Sequence, residues 1–169
     1  FSQSISGLSG GTTYYYCAIV TSTEGTAFGV VSAFTTSGIS TATTNAATSI
    51  SSTAATLNGA GVPNGGSASG WFRYSTTNPG TCSDSFGTRA PSSTGVSLGA
   101  GTSSVNYAQY ISGLVAGSTY YYCAIVSNSY GTGFGSIVSF TTPAMAPTVT
   151  TSSATSLTMT TGVLTGYGN

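Results

Sequence analysis

Apolar and hydroxyl-bearing residues alternate along this chain in short runs, and the runs stop at clusters of glycine, proline, asparagine and serine. A period of two between turn signals predicts an all-β chain with no helix. The clearest strands are expected over Ala55 to Gly59, Ser69 to Ser75, Val105 to Ile111, Thr119 to Val126 and Ile137 to Thr141. Val62-Pro63-Asn64-Gly65-Gly66 and Leu114-Val115-Ala116-Gly117 read as turns. In the Thr119 to Val126 run, alternation sends Tyr120, Tyr122, Ala124 and Val126 to one face and Tyr121, Cys123 and Ile125 to the other. The first of these faces is expected to be core.

The chain also matches itself. Ile5-Ser6-Gly7-Leu8 and Thr13-Tyr14-Tyr15-Tyr16-Cys17-Ala18-Ile19-Val20 recur as Ile111-Ser112-Gly113-Leu114 and Thr119-Tyr120-Tyr121-Tyr122-Cys123-Ala124-Ile125-Val126, an offset of 123 − 17 = 106. Ala47-Thr48-Ser49 with Leu57 recurs as Ala154-Thr155-Ser156 with Leu164, an offset of 164 − 57 = 107. A period this long exceeds a solenoid unit and suits one β-sandwich domain. The expected organisation is the C-terminal part of one module over 1–36 (strands E to G), a complete module over 38–143, and the first strands (A and B) of a further module over 147–169. The chain would then be cut out of phase with its domains.

The run from Ile111 to Tyr120, continued by Val126-Ser127-Asn128 and closed by Ser139-Phe140-Thr141-Thr142, resembles the E-to-G half of bacterial fibronectin type III-like repeats. Ala55-Thr56-Leu57-Asn58-Gly59 with Pro63-Asn64-Gly65 is similar to the same family. The resemblance implies tandem seven-stranded Greek-key β-sandwich modules of immunoglobulin-like type. It also implies a tyrosine corner, which falls on Leu114 and Tyr120 and, in the partial module, on Leu8 and Tyr14. The chain departs from the family in carrying Ala116 where proline is usual, and in its cysteines. In that fold Cys82, after the third strand, and Cys123, on the sixth, belong to one sheet, so the resemblance implies that they pair. The equivalent partner of Cys17 falls at 17 − 41 = −24, upstream of Phe1. The competing reading of these cysteines is a metal site, which is short of ligands because zinc takes four and the chain has no histidine. A disulfide implies an oxidising compartment, the cell exterior or periplasm, and so a secreted chain.

Composition narrows the function. Charged residues make up 2% of the chain, namely Glu24, Arg73, Asp84 and Arg89, and histidine is absent. Polarity comes instead from 30 Ser and 31 Thr, while 39% hydrophobic and 11% aromatic content still allows a packed core. A net charge of zero removes the phosphate-binding term, so nucleic acid is not an expected partner. The longest apolar run, Tyr14 to Val20, is far shorter than the ~20 residues of a membrane-spanning helix, so no membrane insertion is expected. With no His or Lys and with its two acids in different modules, the chain offers no assembled general base, and catalysis, metal and cofactor are not expected. Gly131-Thr132-Gly133-Phe134-Gly135 lacks the Lys and the following helix of a phosphate loop.

Alternation sets Tyr15, Tyr121, Trp71 and Arg73 outward, as candidate contacts for assembly or for a ligand. A surface so poor in charge lacks the usual protection against edge-to-edge association. The reading reached from sequence is therefore an extracellular structural protein that self-associates into a surface fibre, filament, stalk or sheath. The runner-up is an adhesin or carbohydrate-binding spacer module with glycans as possible partners. The Ser/Thr tracts Ser37 to Thr53 and Thr148 to Thr161 are read as linkers able to carry O-linked sugar, and no Asn-x-Ser/Thr acceptor occurs.

Overall fold

The computed structural model describes residues 1–168. Every regular element among them is a strand: β1 (Thr13–Tyr16), β2 (Ile19–Ser22), β3 (Gly25–Phe28), β4 (Ser32–Thr35), β5 (Thr41–Thr48), β6 (Ala54–Val62), β7 (Ala68–Ser75), β8 (Thr88–Ala90), β9 (Val96–Gly99), β10 (Val105–Ser112), β11 (Thr119–Asn128), β12 (Gly131–Phe134), β13 (Val138–Thr141), β14 (Val149–Thr151) and β15 (Gly166–Gly168). The chain is all-β.

Strands β5 to β13 build two antiparallel sheets. One has the order β10-β6-β5; the other has the order β12-β11-β7-β8, with β13 also on β11 and β9 also on β7. Each outer position of the second sheet is thus shared by two short strands. Between Ile125↔Phe134 and Tyr122↔Val138, three residues (135–137) face two (123–124), so the edge bulges between β12 and β13.

The core lies between the sheets. Tyr120, Tyr122, Ala124 and Val126 of β11 point into it, as alternation predicts, beside Leu57, Phe72, Tyr107 and Phe140. The aromatic rings meet off-parallel, Phe72 to Tyr107 at 4.9 Å between centroids and Tyr122 to Phe140 at 5.9 Å. Room for them comes from β6, whose core-facing positions include glycine: a Cβ on Gly61 would lie 2.6 Å from Val126 Cγ2. Burial pushes the Tyr122 phenol up to about 12, and its hydroxyl donates to the Asn45 carbonyl. Burial pushes the Tyr107 phenol up as well, while its hydroxyl donates to the Ile125 carbonyl at 3.1 Å. Both remain protonated donors and pin the sheets from inside.

Two features depart from the sequence reading. The tract Ser37 to Thr53, taken as a linker, contains the eight-residue strand β5, and Thr148 to Thr161 contains β14. Threonine is a good strand former, and where pleated neighbours accept it a Thr-rich segment joins the ladder. Nor is the second face of β11 open to water: Cys123 and Ile125 are both 0% exposed.

The segments on either side of the sandwich repeat its pairing. In the first, Thr13↔Thr35 and Ile19↔Phe28 match Thr119↔Thr141 and Ile125↔Phe134 at a shift of 106. In the last, Val149↔Gly168, Thr151↔Gly166 and the bridge Thr155↔Val163 match Ala42↔Gly61, Thr44↔Gly59 and Thr48↔Thr56 at a shift of 107. Side chains follow the same rule. Tyr120 stacks on Phe140 at 5.6 Å and its hydroxyl accepts from Val115 N–H at 2.9 Å; Tyr14 stacks on Phe34 at 5.8 Å and its hydroxyl accepts from Ser9 N–H at 2.9 Å.

Because the Val115 amide is part-buried with Tyr120 Oη as its acceptor, Tyr120→Phe should destabilise the sandwich by about 1–3 kcal/mol. Equilibrium denaturation reads this, and a change under a few tenths of a kcal/mol would mean that water replaces the hydroxyl.

Candidate recognition site

The outer face of the second sheet carries an arrangement that ordinary alternation does not supply. Antiparallel sandwich sheets usually leave this face to solvent. Here, after β7 ends at Ser75, residues 76–87 turn back across the face as a strap before β8 begins. Local chemistry makes the turns: Asn78 Oδ1 accepts from Gly80 N–H at 2.9 Å, and Ser75 Oγ from Thr77 N–H at 3.0 Å. The strap closes at Gly87, where φ is +51° and a Cβ would meet the Tyr74 carbonyl oxygen, so only glycine fits.

Three fastenings hold the strap down. Cys82 is disulfide-bonded to Cys123, with Cα atoms 6.0 Å apart and a sequence separation of 41. Asp84 Oδ1 accepts from Trp71 Nε1 and from Arg73 Nε, both at 2.8 Å, the second an ion pair. Phe86 packs with Cys82 and Ile137 against a second apolar cluster of Trp71, Cys123 and Ile125. Around this, Arg89 of β8 stands opposite Arg73 in the register and lays its guanidinium 4.6 Å from the centroid of the Trp71 ring.

Burial works to raise the Asp84 carboxyl, but the hydrogen bonds from Arg73 and Trp71, with the charges of Arg73 and Arg89, outweigh it and hold the group below the usual value of 3.8. A carboxyl whose folded pKa is depressed contributes stability that is complete above its unfolded pKa. That contribution is lost as pH falls through the folded value. Asp84 is 43% exposed, so the gain is small, within about 1 kcal/mol. Asp84→Asn should therefore flatten the stability profile below pH ~4 and leave it unchanged near neutrality apart from that small offset. Trp71 emission followed against pH checks this, and an unaltered acid limb would remove Asp84 from the strap's fastenings.

The structure brings Trp71, Arg73, Cys82 and Cys123 together, with Tyr121 half-buried on the same face two residues before Cys123. Tyr15 lies apart from them in β1, 74% exposed. Leu8 is half-buried and Leu114 is buried at the two corners. Cys17 is unpaired and exposed. Trp71, read from sequence as an outward contact, packs on the outer face of the sheet and is not open: it is only 9% exposed, because the disulfide draws the strap over it. Asp84, Phe86 and Arg89 were not singled out from sequence. The available signal was that three of the four charged residues lie between positions 73 and 89, flanking Cys82.

No protein-family model matches the chain, and no curated protein matches it. Among solved structures it is similar to the sensor domain of the anti-sigma factor RsgI4 of Pseudobacteroides cellulosolvens. The short form of that domain is 18% identical with a TM-score of 0.43, over 64% of this chain and 98% of that one. The long form is 19% identical with a TM-score of 0.42, over 70% of this chain and 99% of that one. The domain's solution structure is 21% identical with a TM-score of 0.39, over 61% and 74%.

These neighbours are named for signalling and not for a fibre, and the expected surface fibre, filament, stalk or sheath is corrected here, together with its runner-up, the adhesin or carbohydrate-binding spacer. The structure gives the physical reason. Trp71, the chief contact in both readings, is covered by the strap and only 9% exposed.

Proposed function

We propose that this chain is a non-catalytic recognition module working outside the cytoplasm, built of fibronectin type III-like sandwich units in tandem, and that it reads a partner through the strapped face of its second sheet. One observation carries the reading: the disulfide, the single tryptophan and three of the four charged residues converge on that face. Polar side chains held in fixed rotamers by such fastenings favour binding because little freedom remains to be lost. The disulfide supports an oxidising compartment, hence export. The lack of His and Lys, with Asp84 committed to Trp71 and Arg73, supports binding without chemistry. Coincident pairing registers at shifts of 106 and 107 support the tandem arrangement. Sensing, the role named for the similar structures, is a role of this kind.

Hydrogen exchange of the purified chain, with and without the envelope fraction of the source cell, tests this. Slowed exchange confined to residues 71–90 and β11 is expected. Protection confined to the β10-β6-β5 sheet, or none anywhere, would overturn it.

A further inference from the structure

Within the strapped face the charges do not balance. Arg73 and Arg89 bring two positive charges and Asp84 one negative charge, while the remaining charged residue, Glu24, lies in the β2–β3 turn. Asp84 Oδ1 is already shared between Trp71 and Arg73. Arg89 forms no ion pair among the described residues: its hydrogen bond runs from Nη1 to the Pro91 carbonyl at 3.1 Å, and its guanidinium rests on the Trp71 ring. A guanidinium carries five N–H donors in a planar fork, so most of those of Arg89 are uncommitted to protein. Its place over the ring, 4.6 Å from the centroid, restricts the fork in advance, which lowers the entropy lost on binding.

From this geometry we infer that Arg89, held over the Trp71 ring, is the receptor for a carboxylate group of an acidic protein partner. A carboxylate matches the fork with two parallel hydrogen bonds. Its single charge also neutralises the patch, whereas a phosphate group, near −2 at neutral pH, would leave surplus negative charge beside Asp84. The near absence of other charge on the chain leaves nothing to steer an acidic partner elsewhere.

The inference rests on the strapped face being the recognition surface, and it is tested separately. Trp71 is the only tryptophan, so tryptophan emission, excited at the red edge where tyrosine does not absorb, reports this site alone. The probes are an acetylated, amidated Gly/Glu peptide, its Gly/Gln counterpart, a neutral peptide with a free C-terminal carboxylate, and inorganic phosphate.

A saturable emission change with the Glu peptide or the free C-terminus is expected, weakened by salt and absent with the Gln peptide. The two carboxylate probes distinguish a side-chain source from a chain terminus. Arg89→Gln should weaken binding about tenfold or more, and Arg89→Lys, which keeps charge but not the fork, should fall between. The comparison of Glu with Gln peptides on the unaltered chain stands whether or not the variants fold. Equal responses to the two peptides, a response to phosphate alone, no response, or full binding by a folded Arg89→Gln chain would each overturn the assignment. Protection of residues 71–90 by the envelope fraction, with no response to any carboxylate probe, would leave the recognition face standing and end the role given to Arg89.

Discussion

Replacing Cys82 and Cys123 together by alanine should lower the unfolding free energy by roughly 2–5 kcal/mol, the largest loss expected from any change outside the core. The bond joins residues 41 apart, and a loop of that length corresponds to about 4 kcal/mol of closure entropy removed from the unfolded ensemble. The folded state loses something too. Cys123 and Ile125 are fully buried beneath the strap, which would then be held by Asp84, Phe86 and the hydrogen bond from Arg73 to the Gly87 carbonyl. Guanidinium unfolding should show a lower midpoint, and Trp71 emission should move to the red before the main transition as the strap lifts. An unchanged midpoint and a single coincident transition would show that the face is closed without the bond.

Phe72→Ala should cost about 3–5 kcal/mol, because the side chain is 0% exposed and central to the sandwich. Its ring lies 4.9 Å from Tyr107 and 6.3 Å from Tyr122, and its Cε1 comes so near β6 that a Cβ on Gly59 would be 3.1 Å away. Backbone so tightly engaged on both sides has little freedom to collapse into the cavity, which places the loss toward the upper part of the range. Phe72→Leu keeps most of the volume and should lose much less. Phe72 also sits beside Trp71 and opposite Ala124 and Ala90, so disorder at this row would reach the outer face. A loss below about 1 kcal/mol on denaturation would mean that the core repacks freely, contrary to its aromatic geometry.

Much of the fold was legible because alternation is a direct consequence of the pleat. Tyr120, Tyr122, Ala124 and Val126 face inward as their spacing requires, and β6, β7, β10 and β11 lie where apolar and polar positions alternate. Alternation reports which face a residue takes, but not what covers that face. For this reason alternation places Trp71, Cys123 and Ile125 on the outer face, yet their burial under residues 76–87 cannot be read from it. The strap has no period of its own; its course depends on a left-handed glycine at 87 and a cross-link to a distant strand. β5 escaped for another reason: its run Thr41-Ala42-Thr43-Thr44-Asn45 has so little contrast in hydropathy that a half-buried strand resembles a linker.

The Cys82 to Cys123 bond also sets how far the sandwich would lengthen when pulled from its ends. The residues between the two sulfurs stay closed off from the load, so about 140 Å of extended contour, at roughly 3.4 Å for each of 41 residues, is withheld while the 6.0 Å span of the bridge carries the tension in its place. Stretched chains with and without a reducing agent would therefore differ in the length gained per rupture.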